Sequence, residues 1–467
     1  MEILEIKGKQ AVVIGGRRSG MAAAKLLRQA GAKVFLSDKG MPAGNDFQKE
    51  LERNHIKYEF GQHSEEVFNA DFAIISPGVP SNAPVIKQLV RANIPIYSEI
   101  ELASWFCKAK IVAVTGTDGK TTVTSLCKSI FETDGKANGY KAYSLGNIGL
   151  PFSDYVTELG ENDVAVIETS SFQLDHCFSY KPKVAIITNI TPDHLDRYEG
   201  DFKKYAAAKY RIYQSQDERD FLIYNDDNDE LHQHFNSPEV RSGLKVQLVP
   251  ISLEQNLGQT FDNCAYLEDG WLVLKFNKQK ERLMEEREIM TKNFRGRHNI
   301  YNSLAAAAAA RAMEIRKDVI RESIQKFEGV EHRLEFVRDI NGIEFINDSK
   351  ATTVNALWYA LDTISGNIIL IAGGRDKGND YSKVAPLVKQ KVKTVIAIGE
   401  SSHLVDAAFR DLTKVMKAAT MDEAVSLASR EAEDGDTILL SPACASFDMF
   451  QNFEERGDVF KRLVANL

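Results

Sequence analysis

Hydrophobic positions along the first hundred residues form short runs that alternate with stretches of helical spacing. The clearest runs are residues 11–14, 33–37, 72–75 and 94–97. Short apolar runs separated by amphipathic helices are typical of βαβ units, so this pattern predicts a parallel sheet.

The same alternation recurs twice further along the chain. Apolar strands are predicted at residues 111–114, 163–167 and 184–187, and again at 368–371, 395–398 and 437–440. Residues 214–292 are less regular, with an antiparallel pair predicted around 268–270, and Asn341-Gly342 predicts another hairpin. We therefore predict an α/β protein of three consecutive domains. They are a Rossmann-like domain over 1–106, a P-loop ATPase-like domain with a mainly parallel sheet over 107–329, and a second Rossmann-like domain over 330–467.

Bulk composition narrows the class of protein. The 467 residues include 43% hydrophobic and 27% charged residues, which is ordinary for a globular chain. The net charge of -8 argues against nucleic acid as a partner. None of the five cysteines forms a CxxC pair, and no apolar stretch reaches the roughly 18 residues of a membrane helix. We expect a cytoplasmic protein with reduced cysteines, no membrane insertion and a monomeric state.

A glycine-rich turn lies between the predicted strand 111–114 and an amphipathic helix. Gly116 and Gly119 let main-chain N–H groups converge on an anion, and Lys120 follows where it can reach outer phosphates. The hydroxyl of Thr121 or Thr122 suits Mg²⁺. A strict Walker A motif has a further glycine at the position of Val114, so an ordinary strand-to-helix turn stays an alternative.

A first glycine turn, Gly15 to Gly20, opens a helix after the first strand, and Asp38 ends the next strand. This spacing is similar to a dinucleotide fingerprint, but Arg17 stands at the second glycine position and obstructs a pyrophosphate. NAD or FAD is therefore not expected, whereas a mononucleotide or nucleotide sugar stays open.

Polar residues follow two central strands, where open α/β sheets bind ligands. Glu168 is placed to bind Mg²⁺, although strand-end glutamates are often solvated. His194, between acids, can bind a second cation or cap a turn. Lys209 lies in a helix among small and apolar neighbours, where a lysine either extends to solvent or points into a site.

Ordered motifs across nearly the whole chain resemble the Mur ligase family, most closely its members that add D-glutamate. The motifs that carry the resemblance are Ser76-Pro77-Gly78-Val79, residues 116–122, 168–174 and 191–197, His298-Asn299-Ile300-Tyr301-Asn302, His332-Arg333, Asn347-Asp348-Ser349-Lys350-Ala351-Thr352, 373–378 and 440–447. In this family the glycine loop is a variant of Walker A, which accounts for Val114.

The resemblance implies an ATP-dependent ligase of peptidoglycan precursor synthesis that joins D-glutamate to UDP-N-acetylmuramoyl-L-alanine. The substrate carboxylate would attack the γ-phosphate, and the amino group of D-glutamate would displace phosphate from the acyl phosphate. Mg²⁺ is implied, as two ions, with Lys209 carbamylated so that it becomes an anionic ligand. The metal ligands would be Thr121, Glu168, His194 and Lys209, and the catalytic residues Lys120, Glu168, His194 and Lys209.

The resemblance also implies three groups of binding residues. ATP would contact Gly116, Thr117, Asp118, Gly119, Lys120, Thr121, Thr122, Asn299, Asn302, Arg333 and Asp348. The UDP sugar would contact Arg18, Ser19, Asp38, Lys39, Ser76 and Asn147 in the first two domains. D-Glutamate would contact Lys350, Thr352, Lys377, Ser446 and Phe447 in the third domain.

Two departures from the family pattern are Asp118, where asparagine is common, and the pair Arg17 and Arg18, which replaces smaller residues. The alternatives are another Mur ligase or a ligase like folylpolyglutamate synthetase. Two readings of a different class are a P-loop switch without synthetic chemistry and an NAD-dependent oxidoreductase. The absence of an Asp-Asn-Pro-Arg motif argues against the diaminopimelate- and lysine-adding siblings.

Overall fold

A computed structural model describes residues 6–41, 45–289, 294, 296–376 and 378–467. The chain divides into two compact units. The first contains Met1–Glu285 and Tyr301–Gln325, and the second contains Glu286–Ile300 and Lys326–Leu467. Within the described residues the strands form three sheets, two in the first unit and one in the second. The predicted α/β class with three successive domains is confirmed.

The first sheet is parallel throughout and has the strand order β3-β2-β1-β4-β5 among the described residues. Its elements are β1 (Gln10–Ile14), α1 (Arg18–Gln29), β2 (Lys33–Asp38), α2 (Asn45–Arg53), β3 (Lys57–Phe60), β4 (Phe72–Ile75), α3 (Pro84–Arg91) and β5 (Ile96–Ser98). The strand predicted at 94–97 starts later, because the Ile94 N–H bonds to the Leu89 carbonyl and closes the end of α3. Helix α4 (Glu99–Ser104) then leads to the second sheet.

The second sheet is parallel in its centre, with described strands in the order β14-β13-β12-β11-β10-β9-β6-β8-β7. Its strands are β6 (Lys110–Thr115), β7 (Ala142–Gly146), β8 (Val164–Glu168), β9 (Val184–Ile187), β10 (Phe221–Asn225), β11 (Gln247–Ser252), β12 (Cys264–Glu268), β13 (Trp271–Phe276) and β14 (Gln279–Glu285). Its helices are α5 (Lys120–Asn138), α6 (Phe152–Tyr155), α7 (Ser171–Leu174), α8 (Phe202–Tyr210), α9 (Asp229–Asn236), α10 (Pro238–Gly243), α11 (Arg297–Ala312) and α12 (Lys317–Gln325).

The sequence predicted the β12–β13 hairpin but not that residues 214–292 extend the central sheet. Pro250 lies inside β11, where proline argues against a strand. Strand β14 is mostly polar at the sheet edge, so it lacks an apolar run. By contrast, β6, β8 and β9 are buried on both faces and read as continuous apolar runs, as central parallel strands do.

The third sheet lies in the second unit and has the described order β15-β16-β20-β17-β18-β19. Its elements are β15 (Glu335–Ile340), β16 (Ile343–Asn347), α13 (Val354–Thr363), β17 (Ile368–Gly373), α14 (Ala385–Lys391), β18 (Val392–Ile398), α15 (Ser402–Phe409), β19 (Lys414–Ala418), α16 (Met421–Glu431), β20 (Thr437–Leu440) and α17 (Phe453–Ala465). The predicted Asn341-Gly342 hairpin joins β15 to β16, and both turn residues have positive φ. Alternate residues of β17 enter two different cores, because strand side chains point to opposite faces.

Candidate active site

The glycine loop lies between β6 and α5, and the surrounding packing requires its two glycines. Gly116 has φ +147° and Gly119 has φ +80°, both in the left-handed range. A Cβ on Gly116 would lie 1.9 Å from Oγ1 of Thr188, and one on Gly119 would lie 2.6 Å from Oδ1 of Asn302. Helix α5 has no side-chain cap at its N-terminus. Its first N–H groups lack intrahelical partners and form a ready site for an anion.

Lys120, the first residue of α5, folds back over the loop. Its Nζ donates to the carbonyls of Gly116, at 2.9 Å, and Thr117, at 2.7 Å. Thr122 is buried, whereas Thr121 keeps partial exposure. Of the two threonines considered for Mg²⁺, Thr121 is therefore the more accessible.

Thr117 uses its hydroxyl within the loop. Its Oγ1 lies 3.0 Å from the Tyr205 hydroxyl and accepts from the Thr191 N–H at 3.0 Å. The Thr117 side chain therefore ties the loop to α8 and to the segment that carries His194.

Glu168 ends β8 beside the loop, because β8 pairs with β6 in a register that places it opposite Val114. The carboxylate is buried, and its Oε1 accepts from Nδ2 of Asn147 at 2.8 Å. Its Oε2 has no hydrogen-bond partner within the described part of the chain. A buried, unpartnered carboxylate oxygen fits a hard cation such as Mg²⁺, which prefers oxygen ligands.

Lys209 is buried, so the alternative of a solvent-exposed lysine is wrong. Its Nζ donates to the Gly116 carbonyl at 2.7 Å and lies 4.6 Å from the ring centre of Tyr205. Burial lowers the pKa of Lys209 well below its ordinary value, and the nearby charge of Lys120 lowers it further. The amine is consequently far more available in its neutral form than that of a surface lysine.

His194 occupies a left-handed position, with φ +51°, at the start of a 3-10 turn. The side chain makes no capping hydrogen bond, and its Nε2 lies 3.5 Å from Oδ2 of Asp193. The ring packs edge-on against Phe172, with centroids 5.3 Å apart. The imidazole side chain is 45% exposed, so it remains accessible to a ligand.

The first glycine turn lies beside a cavity of about 540 Å³ in the first unit. Arg17, Arg18 and Asp38 line it together with residues of α1, α2, β3 and α6. Asp38 is committed to the main chain, because its two carboxylate oxygens accept from the N–H groups of Gly16, at 2.6 Å, and Gly40, at 2.7 Å.

The other residues implied for the UDP sugar differ in exposure. Ser76 is buried and its Oγ donates to the Gly15 carbonyl at 2.8 Å. Ser19 is partly exposed and Lys39 is exposed. Asn147 is exposed and directly follows β7 of the central sheet, where it bonds to Glu168.

In the second unit, Asp348 follows β16 and is buried. Its oxygens accept from the Leu334 N–H at 3.2 Å and from the Ser441 hydroxyl at 2.8 Å. Burial raises the pKa of Asp348 to about 6, and the charge of Arg333 opposes this shift. Two loops that carry residues implied for ligand binding, 347–352 and 440–447, are thus joined by the Asp348–Ser441 bond.

The residues implied for D-glutamate occupy these loops. The Nζ of Lys350 lies 5.3 Å from the ring centre of Phe453, and the Lys350 carbonyl accepts from the Thr352 N–H at 2.9 Å. Ser446 is buried and Phe447 is 62% exposed. Lys377 lies outside the described residues.

Two asparagines implied for ATP lie near the start of α11. Asn302 belongs to the first unit, where it packs against Gly119, and Asn299 belongs to the second unit and is buried.

Sequence reasoning missed Arg456, a buried residue of α17. Its guanidinium donates to Oγ and to the carbonyl of Ser349, at 3.0 and 2.8 Å, and to the Cys444 carbonyl at 3.1 Å. It therefore holds together the same two loops as the Asp348–Ser441 bond. An arginine in an amphipathic helix carries no sequence signal that distinguishes it from a solvated one.

Two expectations from composition can also be compared with the structure. All five cysteines are free, as predicted, and only Cys107 is not fully buried. Among the described residues, no helix combines the length and apolar character that a membrane span requires.

Comparison with known proteins places these features in a family. Residues 114–310 match the Mur ligase middle domain, 332–444 match the Mur ligase glutamate ligase domain, and 11–85 match the MurD N-terminal domain. The UDP-N-acetylmuramoylalanine--D-glutamate ligase of Chloroherpeton thalassium is 68% identical over 464 residues, which cover 99% of each chain.

Two solved structures share the fold at low identity. A pseudomurein peptide ligase type C from Methanothermus fervidus has a TM-score of 0.58 and 21% identity, covering 98% of this chain and 100% of its own. FolC of E. coli, in complex with DHPP and ADP, has a TM-score of 0.57 and 16% identity, covering 79% and 92%. By its matched domains and its full-length relative, this chain belongs to the Mur ligase family.

Proposed function

We propose that this chain is an ATP-dependent ligase that joins D-glutamate to UDP-N-acetylmuramoyl-L-alanine. The observation that carries the proposal is the group around the glycine loop: Lys120 on the loop carbonyls, the unpartnered oxygen of Glu168 and the buried amine of Lys209. The full-length relative named for this activity supports the choice of substrates. The ADP in the FolC structure supports ATP as the phosphate donor.

We propose that the three domains divide the ligands. The Rossmann-like domain at 1–106 would bind the UDP sugar, the domain at 107–329 ATP, and the domain at 330–467 the amino acid. In the domain at 330–467, D-glutamate would be bound by Lys350, Thr352, Lys377, Ser446 and Phe447. A dicarboxylate needs a cationic or multiply donating partner for each carboxylate, and this set provides two lysines and two hydroxyls.

Phosphoryl transfer depends mainly on positioning and on neutralising charge. Lys120 and the uncapped start of α5 would hold the ATP phosphates through a cation and main-chain N–H groups. The substrate carboxylate attacks the γ-phosphorus, the bond to the β-phosphate oxygen breaks, and ADP leaves. The amine of D-glutamate then attacks the acyl carbon, loses a proton, and phosphate leaves.

Two Mg²⁺ ions would be held by the side chains of Thr121, Glu168 and His194. Lys209 would be a further ligand. When bound, Mg²⁺ neutralises phosphate charge and orients the oxygens in the displacement. Lys209 can act as an anionic metal ligand only after it is carbamylated. Its neutral amine attacks CO₂, an N–C bond forms, and the nitrogen releases a proton, which leaves an anionic carbamate. The lowered pKa of Lys209 favours this reaction because the neutral amine is the nucleophile.

Substrate dependence tests the proposal. We expect phosphate release from Mg·ATP only when UDP-N-acetylmuramoyl-L-alanine and D-glutamate are both present. Each substrate is omitted in turn. In matched reactions L-glutamate, diaminopimelate or lysine replaces D-glutamate, and a folate replaces the sugar nucleotide. Full turnover with either substrate missing, or equal use of L-glutamate, would rule out the assignment.

A second experiment addresses the carbamate. Lys209→Ala should lose activity, and an added short carboxylic acid should restore part of it by supplying the missing anionic oxygen. Lys203→Ala is a matched control, because Lys203 lies on the exposed side of the same helix. Wild-type rates in Lys209→Ala would exclude any role of this lysine.

A further inference from the structure

Asn189 lies two residues after the end of β9 and holds the glycine loop through its side-chain amide. The Asp118 N–H donates to Oδ1 of Asn189 at 3.0 Å, and Nδ2 of Asn189 donates to the Asp118 carbonyl at 3.2 Å. The Asn189 carbonyl also accepts from the Thr117 N–H at 2.9 Å. Asn189 therefore engages two successive loop residues with three hydrogen bonds.

Thr188 reinforces the same peptide. Its Oγ1 donates to the Asp118 carbonyl at 2.5 Å, so this carbonyl accepts from two side chains at the end of β9. A carbonyl oxygen directed at a phosphate would repel it, whereas N–H groups at a helix start attract it. The contacts with Thr188 and Asn189 hold the Asp118 carbonyl toward β9, in the turn that leads into the uncapped start of α5.

We propose that Asn189 is a positioning residue for the nucleotide phosphates. Its side-chain amide fixes the Asp118 peptide, so that the loop is preorganised before ATP binds. This inference rests on the proposed function, because it assumes that the phosphates of ATP bind to this loop. Preorganisation raises affinity because less main-chain freedom is lost on binding. Both hydrogen bonds of the Asn189 side-chain amide are made to the main chain of Asp118. They do not depend on the side chain at position 118, and this fits an aspartate where the family commonly has asparagine.

The test is the affinity of the full-length protein for Mg·ADP, measured by isothermal titration calorimetry. Asn189→Ala removes two hydrogen bonds to the loop, and we expect about tenfold weaker binding. Asn256→Ala is the matched control. Its amide likewise accepts from one main-chain N–H, that of Gly258, and donates to one oxygen, that of Glu268, outside the loop. The control should bind Mg·ADP as the wild type does.

A second variant separates positioning from a general loss of folding. Asn189→Asp keeps the acceptor for the Asp118 N–H but places an anionic oxygen against the Asp118 carbonyl. An aspartate carboxyl has an ordinary pKa of about 3.9, so it is ionised at pH 8. The affinity of Asn189→Asp for Mg·ADP at pH 8 should therefore be weaker than that of the wild type, by at least the factor seen in Asn189→Ala.

Unchanged Mg·ADP affinity in Asn189→Ala would overturn the inference. If that variant does not fold, an affinity of Asn189→Asp equal to that of the wild type at pH 8 would overturn it instead. The Michaelis constant for D-glutamate should stay unchanged in both variants, and a parallel rise in this constant would also count against a role specific to the phosphates. Failure of the wild type to bind Mg·ADP would instead remove the proposed function itself.

Discussion

The two glycine turns of the first unit share a main-chain design and differ in the side chains around it. Each connects a parallel strand to a helix that has no side-chain cap. The first turn has one glycine with positive φ, Gly15, and the second has two, Gly116 and Gly119. In the first turn the Gly16 N–H is taken by the carboxylate of Asp38. In the second, the cation of Lys120 lies on the loop carbonyls.

Main-chain geometry alone therefore does not determine which ligand a glycine turn binds. The Asp38 carboxylate bonds to the Gly16 N–H and, together with Arg17, keeps a dinucleotide pyrophosphate from the main chain of the first turn. Lys120 places positive charge at the second turn, which favours outer phosphates. We therefore propose the second turn for the ATP phosphates, whereas at the first turn the side chains of Arg17 and Arg18, which line the cavity there, would bind the diphosphate of the UDP sugar.

The largest expected effect separates the cations of the two turns. Lys120→Ala should lower kcat by about 10²–10³-fold, because one preorganised group that stabilises the transferred charge is lost. Arg18→Ala should mainly raise the Michaelis constant for the UDP substrate and leave kcat within a few-fold, since Arg18 lines the first-turn cavity. Steady-state kinetics with each substrate varied would measure both. Similar kinetic changes in the two variants would contradict the assignment.

The next effect concerns the metal at the second turn. Glu168→Gln replaces the unpartnered anionic oxygen with an amide, and we expect the Mg²⁺ concentration for half-maximal activity to rise about 100-fold. Asn147→Ala removes only the donor to the other oxygen and should raise it about tenfold. Titration of Mg²⁺ after treatment with a chelator provides the measurement. An unchanged Mg²⁺ requirement in Glu168→Gln would remove this residue from the metal site.

A smaller effect is expected from the acid of the first turn. Asp38→Asn keeps one acceptor, so one of the N–H groups of Gly16 and Gly40 loses its partner. The free energy of unfolding should fall by about 1 kcal/mol. The Michaelis constant for the UDP substrate should rise while that for ATP stays unchanged. Urea denaturation and kinetics test this, and a change confined to ATP would reverse the roles of the two turns.

The smallest effect on turnover is expected at α4, which follows the domain of the first turn. Oε1 of Glu99 accepts from the Ser153 N–H at 2.6 Å, while Oε2 is buried without a partner among the described residues. Burial raises the pKa of Glu99 to about 7 from 4.5. Because the folded state binds this proton more tightly than the unfolded state, its contribution to stability is present below pH 4.5 and is lost as the pH rises through 7.

Glu99→Gln should therefore be more stable than the wild type at pH 8, by about 1–3 kcal/mol in the free energy of unfolding. The difference should shrink as the pH falls toward 4.5, and kcat should not change. Denaturant titrations at several pH values provide the measurement. A stability difference that is independent of pH would show that Glu99 does not titrate in this range.

Much of the candidate site can be predicted from short stretches of sequence, because its residues stand in a glycine turn and at the end of an apolar strand. Gly116, Gly119 and Lys120 stand in one turn, and Glu168 ends an apolar run. Parallel strands bring their carboxyl ends to one edge of a sheet. Predicting the strands therefore already predicts that the residues at these ends lie close together. The parts that were missed act across long sequence separations. Asn189 bonds to the main chain of Asp118, 71 residues away, and Arg456 bonds to Ser349, 107 residues away.

The alternation of strands and helices, the two glycine turns and the order of the family motifs can be predicted from the sequence alone. These depend on side-chain type and spacing along the chain. Two features required the three-dimensional structure: Lys209 is buried against Gly116, 93 residues away, and Glu168 keeps one oxygen without a hydrogen-bond partner among the described residues. Burial and charge proximity set the pKa of a lysine and the partners of a carboxylate. Both arise from the packing of distant segments, which no local pattern specifies.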